Sequence, residues 1–110
     1  MASRQATVDF LLEQMDGAGF VHARKMFGAH AIYHETKVVA FVFGDQLFVK
    51  PTAPGRAFIG IPEEACPCSG LKPHFVIAGD RWDDGDWLSR LISATAAALP
   101  LPKPSRKRRA

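Results

Sequence analysis

The segment AHAIYHETKVVAFVFGDQLFVK, residues 29–50, decides the fold. Its apolar stretches are rich in β-branched and aromatic residues and are separated by short polar sequences, a pattern typical of strands. Gly44-Asp45 has the Gly-X form of a two-residue hairpin turn. The segment therefore predicts an antiparallel meander of three strands, over residues 29–35, 37–43 and 46–50.

The middle strand of this meander is apolar at every position from Val38 to Phe43. Such a run indicates a central strand that is covered on both faces or packed closely on one. We expect Phe41 to face the core between two helices, so its truncation to alanine should cost about 3–5 kcal/mol. Residues 24–28 and 75–78 are predicted to add a strand before the segment and one after it, which makes about five.

Two amphipathic helices flank the predicted strands. Apolar residues repeat at i, i+3, i+4 and i+7 within residues 3–17, where Ser3 provides an N-cap. Residues 88–99 show the same spacing, and either Asp83 or Asp84 is expected to cap this second helix.

The region between residues 51 and 73 contains five prolines, which exclude one long helix or strand, and only residues 53–59 have the pattern of a helical turn. The order of elements predicts a two-layer α+β domain, an antiparallel β-sheet of about five strands with N- and C-terminal amphipathic helices packed on it. We assign the domain to residues 1–100 and expect residues 101–110 to be a disordered tail.

The composition is typical of a globular domain, since 47% of the 110 residues are apolar and 23% are charged. The longest apolar run, Val38–Phe43, is far shorter than the roughly 20 residues that cross a membrane. The amino terminus lacks the apolar region of a signal peptide. We therefore expect a cytoplasmic protein without a membrane segment, present as a monomer or a homodimer.

Positive charge is concentrated at the end of the chain. Five of the 14 lysines and arginines lie after residue 102, so the preceding residues carry nine positive against 11 negative charges. The folded part thus has no positive excess for nucleic acid. We predict a weak, sequence-independent contact with nucleic acid or an anionic surface for the tail alone. The alternative is that the tail only keeps the protein in solution. The cations of the tail are Lys103, Arg106, Lys107, Arg108 and Arg109.

The two cysteines, Cys66 and Cys68, are separated by one proline, which is not the spacing of a disulfide framework. With His74 they form the only local set from which a thiol- or metal-dependent enzyme could be built. Nothing nearby provides the group that would orient a cysteine–histidine pair for catalysis, and a zinc site built on these residues would have an unusual spacing. We therefore predict no catalytic residue, no metal and no cofactor, and keep a small enzyme using these three residues as the alternative.

The segment Arg24-Lys25-Met26-Phe27-Gly28 and the strands that follow it, ending in Asp45–Lys50, resemble the TfoX N-terminal domain family. The family pattern has an amphipathic first helix, an RKMFGG-like strand, a meander and a C-terminal helix with tryptophan near its start. The match runs from about Phe10 to Leu99. This sequence departs from the pattern at Ala29, where a second glycine is common, and in the insert around Cys66.

The resemblance implies a stand-alone N-terminal domain, a bacterial regulatory or protein-interaction module linked to genes for competence and DNA uptake. It supplies no catalytic residues and does not name the protein partner. From the residue types themselves, two cations beside a methionine and an aromatic residue could contact a partner or a phosphate, and we predict a partner-binding site at Arg24, Lys25, Met26, Phe27 and Gly28. The alternative is that the methionine and the phenylalanine belong to the core, the two cations are solvated and the glycine serves a strand bulge.

Overall fold

The structure of the chain, a computed structural model, describes residues 5–26, 29–67 and 72–100. Three α-helices and six strands lie in these ranges, together with two short 3₁₀ turns at Asp16–Ala18 and Gly79–Arg81. In chain order the elements are α1 (Gln5–Gln14), β1 (Val21–Met26), β2 (Ala29–His34), β3 (Lys37–Phe43), β4 (Gln46–Val49), α2 (Ala53–Ile59), β5 (Glu63–Ala65), β6 (His74–Ile77) and α3 (Gly85–Ala98). None of the helices in the described ranges is long and apolar enough to cross a membrane.

The six strands form one antiparallel sheet in the order β1-β2-β3-β4-β6-β5. The predicted α+β class and the central position of β3 are confirmed. The strand count is one higher than predicted because β5 was missed. Its sequence, Glu-Glu-Ala, has neither β-branched nor aromatic residues, so it becomes a strand only through its pairing with β6 at the edge of the sheet.

One face of the sheet packs against the helices and forms the core. A row of paired residues crosses four strands on this face, and all four side chains are buried: Ile32, Ala40, Val49 and Phe75. Helices α1 and α3 cover this row with the apolar positions that their periodicity predicted, Val8, Leu11, Leu88, Leu91 and Ile92. Burying each of the larger side chains contributes about 1.5–3 kcal/mol, so this layer makes a large favourable contribution to folding.

The prediction for Phe41 is wrong. Ala40 and Val42 lie in the core, so the alternation of the strand places Phe41 on the opposite face of the sheet. There it is only half-buried, and its ring centroid lies 5.7 Å from that of His74. A bulge at Val39 puts both Val39 and Ala40 in the core, and the continuous apolar run conceals this shift.

The end of α1 lies close against α3. The Ser89 hydroxyl donates to the carbonyl oxygen of Gln14 at 3.0 Å. A Cβ atom at Gly17 would lie 2.9 Å from Ser89 Oγ, so a larger residue at this position would push the two segments apart. The Asp84 side chain caps α3 by accepting from the Trp87 N–H at 3.2 Å, as predicted, whereas the predicted N-cap of α1, Ser3, lies outside the described residues.

The β3–β4 hairpin turn is confirmed at Gly44 and Asp45. Both residues have positive φ, 60° and 58°, which is the type I′ geometry and not the type expected from glycine at the first position alone. The β2–β3 turn contains a further non-glycine residue in the left-handed region, Glu35, with φ of 56°. Such a conformation costs a residue with a side chain on the order of 1–2 kcal/mol.

Candidate interaction surface

Two of the five predicted partner-binding residues, Arg24 and Lys25, are exposed on β1. They point to opposite faces of the sheet, because Arg24 is paired with Ala31 and Lys25 with His30. The backbone of Met26 ends the strand, while its side chain, Phe27 and Gly28 lie outside the described part of the chain. The two cations therefore do not form one patch on a single face.

An aromatic stack lies beside Arg24 on the face of the sheet that the helices leave uncovered. The rings of Phe20 and His22 are 4.9 Å apart between centroids at an interplanar angle of 26°. The rings of His22 and Tyr33 are 5.1 Å apart at 13°. The second contact follows directly from the sheet register, in which His22 and Tyr33 are cross-strand partners on one face.

Two hydrogen bonds with the backbone of Glu35, in the β2–β3 turn, hold this stack in place. The His22 Nε2–H donates to the carbonyl oxygen of Glu35 at 3.0 Å. The N–H of Glu35 donates in turn to the carbonyl oxygen of Phe20 at 2.9 Å. These bonds offset the cost of the left-handed conformation at Glu35 and fix the turn against the start of β1.

The stack borders a shallow groove of about 540 Å³, which we call the aromatic groove. Phe20 is 66% exposed there, which is unusual for an aromatic residue held in a defined stack. The groove combines ring faces, one guanidinium and backbone groups of a turn, and no described residue fills it. Its lining residues are Phe20, His22, Arg24, Tyr33, Glu35 and Thr36.

Sequence reasoning missed Phe20, His22 and Tyr33 as site residues. The predicted first strand began at Arg24, three residues after its actual start at Val21, so His22 was not recognised as a strand residue. Tyr33 is eleven positions further along the chain and approaches His22 only through strand pairing. The alternation of His22 and Arg24 was the one available signal, because it places both side chains on the same face of a strand.

The residues of the enzyme alternative are only partly described. Cys66 is exposed, and Cys68 lies outside the described residues. His74 is 4% exposed, donates from Nδ1 to the carbonyl oxygen of Lys72 at 2.9 Å, and packs its ring against Phe41. Within residues 5–26, 29–67 and 72–100, no three His, Cys, Asp or Glu side chains are grouped so that they could hold a metal ion.

Two further lysines, Lys50 and Lys72, interact electrostatically with one another. Burial lowers the pKa of Lys50 from its ordinary value of 10.5, and the nearby charge of Lys72 lowers it further. The predicted basic tail, Lys103 to Arg109, lies outside the described residues. Two acidic residues at the start of α3 are used locally, since Asp84 caps the helix and Asp86, in its first turn, lies 3.2 Å from the Arg90 guanidinium.

The fold and the groove define a small α+β domain that presents a preformed aromatic and cationic surface at one end of its sheet. Comparison with known proteins is consistent with this class. A family model described as the TfoX N-terminal domain matches residues 13–99. The chain is also 36% identical over 104 residues to an "uncharacterized 12.7 kDa protein in trpE 5'region" of Spirochaeta aurantia, an alignment that covers 94% of this chain and 90% of that protein.

The chain therefore belongs to the TfoX N-terminal domain family. This confirms the resemblance drawn from the RKMFG segment and the meander, and the matched region agrees closely with the span inferred from the sequence. The alignment with the Spirochaeta aurantia relative extends over nearly the whole length of both chains.

Proposed function

We propose that the protein is a non-enzymatic regulatory module that acts by binding another protein, and that it takes part in the regulation of competence and DNA-uptake genes in the bacterial cytoplasm. Membership of the TfoX N-terminal domain family supports the regulatory role. The observation that carries the proposal is the aromatic stack of Phe20, His22 and Tyr33 beside Arg24, in which the outermost ring, Phe20, is exposed.

The residue types in the groove are those that dominate protein–protein binding. Aromatic residues and arginine are enriched among the side chains whose truncation weakens complexes most. With 66% of Phe20 exposed and roughly 200 Å² for an aromatic residue, about 130 Å² is available for burial. At about 25 cal/mol per Å², burying this area would contribute about 3 kcal/mol before the costs of association.

The rigidity of the groove also favours binding. Tyr33 and His22 are held by the sheet register, and the turn at Glu35 is fixed by its bonds to Phe20 and His22. A partner would therefore bind a surface that is already ordered, which reduces the entropy lost on association. An exposed aromatic ring without such supports would lose more freedom on binding.

The proposal is tested in the organism that encodes the chain by replacing Phe20 with serine and measuring transcripts of its DNA-uptake genes. The matched control is Ile61→Ser, because Ile61 is 98% exposed and lies outside the aromatic groove. We expect Phe20→Ser to change transcript levels as deletion of the gene does, and Ile61→Ser to leave them unchanged. Equal behaviour of both variants and the unmodified protein would contradict the proposal.

The enzyme alternative is tested with the purified full chain by metal analysis and by the rate at which iodoacetamide alkylates its thiols at neutral pH. Our proposal expects no stoichiometric zinc and alkylation no faster than that of free cysteine. Stoichiometric zinc, or much faster alkylation, would favour an activity built on Cys66, Cys68 and His74.

A further inference from the structure

The outer edge of β1 carries backbone groups that no described strand pairs with. β1 is the terminal strand of the sheet, and its one strand partner there is β2. The hydrogen bond from the Glu35 N–H to the Phe20 carbonyl identifies their pair as a hydrogen-bonded one. Since such pairs alternate along an antiparallel ladder, Val21, Ala23 and Lys25 direct their N–H and C=O groups away from β2.

The two edges of the sheet differ in length and charge. β5 forms the other edge with only three residues, two of them glutamates, so it is a poor template for strand pairing. β1 is six residues long and contains one histidine, one arginine, one lysine and no acidic residue. Its edge is thus long enough to pair with a further strand, and the side chains beside it are cationic.

Arg24 and Lys25 set the charge that an added strand must carry. Both are exposed, one on each face of the sheet, so residues opposite them on an adjacent strand would contact a cation on either face. Acidic residues at these positions would form cross-strand ion pairs, and basic ones would be repelled. The aromatic groove begins on the same strand, next to Arg24, and offers a site for one apolar side chain.

We propose that β1 binds an extended acidic segment of a partner protein by strand addition, with an apolar or aromatic side chain of that segment seated in the aromatic groove. This rests on the proposed function and specifies the chemistry of the partner. Backbone hydrogen bonds from the edge of β1 supply affinity, while the two cations and the groove select the sequence.

A second copy of the chain fits this edge poorly. Antiparallel pairing of two β1 strands would bring the cations of both copies together without any acidic residue between them. The edge strand β5 of another copy would offer only three residues, and its Glu64 carboxylate is already engaged by Arg56 at 2.7 Å. The basic segment after residue 102 has the same charge sign as β1 and contains a proline at position 104.

The test uses fluorescein-labelled probe peptides of about eight residues, a common strand length. One probe carries two consecutive glutamates, which lie on opposite faces of a strand, among valines and one phenylalanine, and a matched probe has lysine in place of each glutamate. We expect the full chain to bind the glutamate probe and to bind the lysine probe at least roughly tenfold more weakly, a difference of about 1.4 kcal/mol. Equal binding of the two probes by fluorescence anisotropy would overturn the proposal.

A second pair of probes tests the strand geometry directly. N-methylation of alternate amides in the glutamate probe removes hydrogen-bond donors on one edge only, and the complementary probe carries the methyl groups on the other edge. Strand addition predicts that one of these two probes loses binding and that the other retains it. Equal loss or equal retention would exclude strand addition, whatever the affinity for acidic peptides.

Variants at Lys25 localise the contact on the protein. Lys25→Pro removes an N–H that faces outward, so the β1–β2 hydrogen bonds remain, and Lys25→Ala removes the charge but keeps the N–H. We expect the proline variant to bind the glutamate probe more weakly than the alanine variant at equal thermal stability. Equal binding would contradict the proposal, and if the proline variant unfolds, the N-methylated probes still decide the question.

Two further results separate this inference from the proposed function. Dimerisation of the full chain through β1, detected by sedimentation and abolished by Lys25→Pro, would assign the edge to a second copy and overturn the inference. If Phe20→Ser abolishes gene regulation in cells while Lys25→Pro does not, the proposed function stands and strand addition fails.

Discussion

The same substitution should reduce the free energy of unfolding by very different amounts on the two faces of the sheet. Phe75→Ala and Phe41→Ala remove the same ring from neighbouring parts of the sheet, but from opposite faces. Phe75 is fully buried in the core, and the Arg56 guanidinium lies 5.2 Å from its ring centroid. Its truncation loses the whole transfer free energy of the ring and leaves a cavity, so we expect a loss of about 3–5 kcal/mol.

Phe41 loses less on truncation because its ring is only half-buried, although it packs against the buried ring of His74. Part of its area is exposed to water before the substitution, and water can enter the space that the ring leaves. We expect Phe41→Ala to cost about half as much as Phe75→Ala, roughly 1.5–2.5 kcal/mol. This replaces the larger value expected when Phe41 was assigned to the core.

Urea unfolding of the two variants and the unmodified protein, followed by circular dichroism, measures both losses. The slope of the free energy against urea concentration should be unchanged, which would show that the variants unfold from the same compact state. A cost for Phe41→Ala equal to or above that for Phe75→Ala would refute the assignment of faces. A cost below about 1 kcal/mol for Phe75→Ala would refute the position of the core.

Three further outcomes follow from local features. Thr52→Ala should lower the free energy of unfolding, measured by urea denaturation, by about 1 kcal/mol, because the Thr52 hydroxyl caps α2 by accepting from the Gly55 N–H. Thr52→Asn should retain most of this stabilisation. Lys72→Ala should raise the pKa of Lys50 toward 10.5 in an NMR titration. An unchanged pKa of Lys50 in Lys72→Ala would exclude the coupling. Because the pKa of Lys50 is lowered in the folded protein, the unfolded chain holds this proton more tightly, and Lys50 reduces the stability of the fold at neutral pH. This loss of stability is relieved as the pH rises through the folded pKa. A chain stopped at Pro102 should lose any binding to duplex DNA at low salt. If all five tail cations of the full chain contact phosphates, the logarithm of its affinity should fall with the logarithm of the salt concentration with a slope of about −4.5. Equal binding by both chains would place the contact on the folded domain.

Local patterns in the sequence account for most of the fold. The helical spacing of Val8, Leu11 and Leu88 identified the faces that α1 and α3 bury, because these repeats extend over several turns. The Gly44-Asp45 turn fixed the β3–β4 pairing, since a two-residue hairpin allows only one register. These features depend on residues that are close in the chain.

The remaining features depend on contacts between distant residues. The continuous apolar run of β3 has no alternation, so neither the bulge at Val39 nor the outward position of Phe41 could be derived from it. β5 has no intrinsic preference for a strand and is formed by its pairing with β6. Both are decided by tertiary pairing.

The candidate site was predicted only in part, for the same reason. The basic residues of β1 were identified from the sequence, but the aromatic side chains beside Arg24 come from β1 and β2 and meet through the register of Tyr33 with His22. The predicted site also extended through Gly28, along the chain and not across the sheet. A site on a sheet is shared by neighbouring strands, and residues adjacent in sequence point to opposite faces.

The central claim is that the protein binds another protein through the aromatic groove. The most direct measurement compares the proteins retained from a nuclease-treated extract of the native host by the immobilised full chain, by Phe20→Ser and by Ile61→Ser, using quantitative mass spectrometry. We predict a protein that the full chain and Ile61→Ser retain equally and that Phe20→Ser loses. Retention of the same proteins in the same amounts by all three chains would contradict the claim.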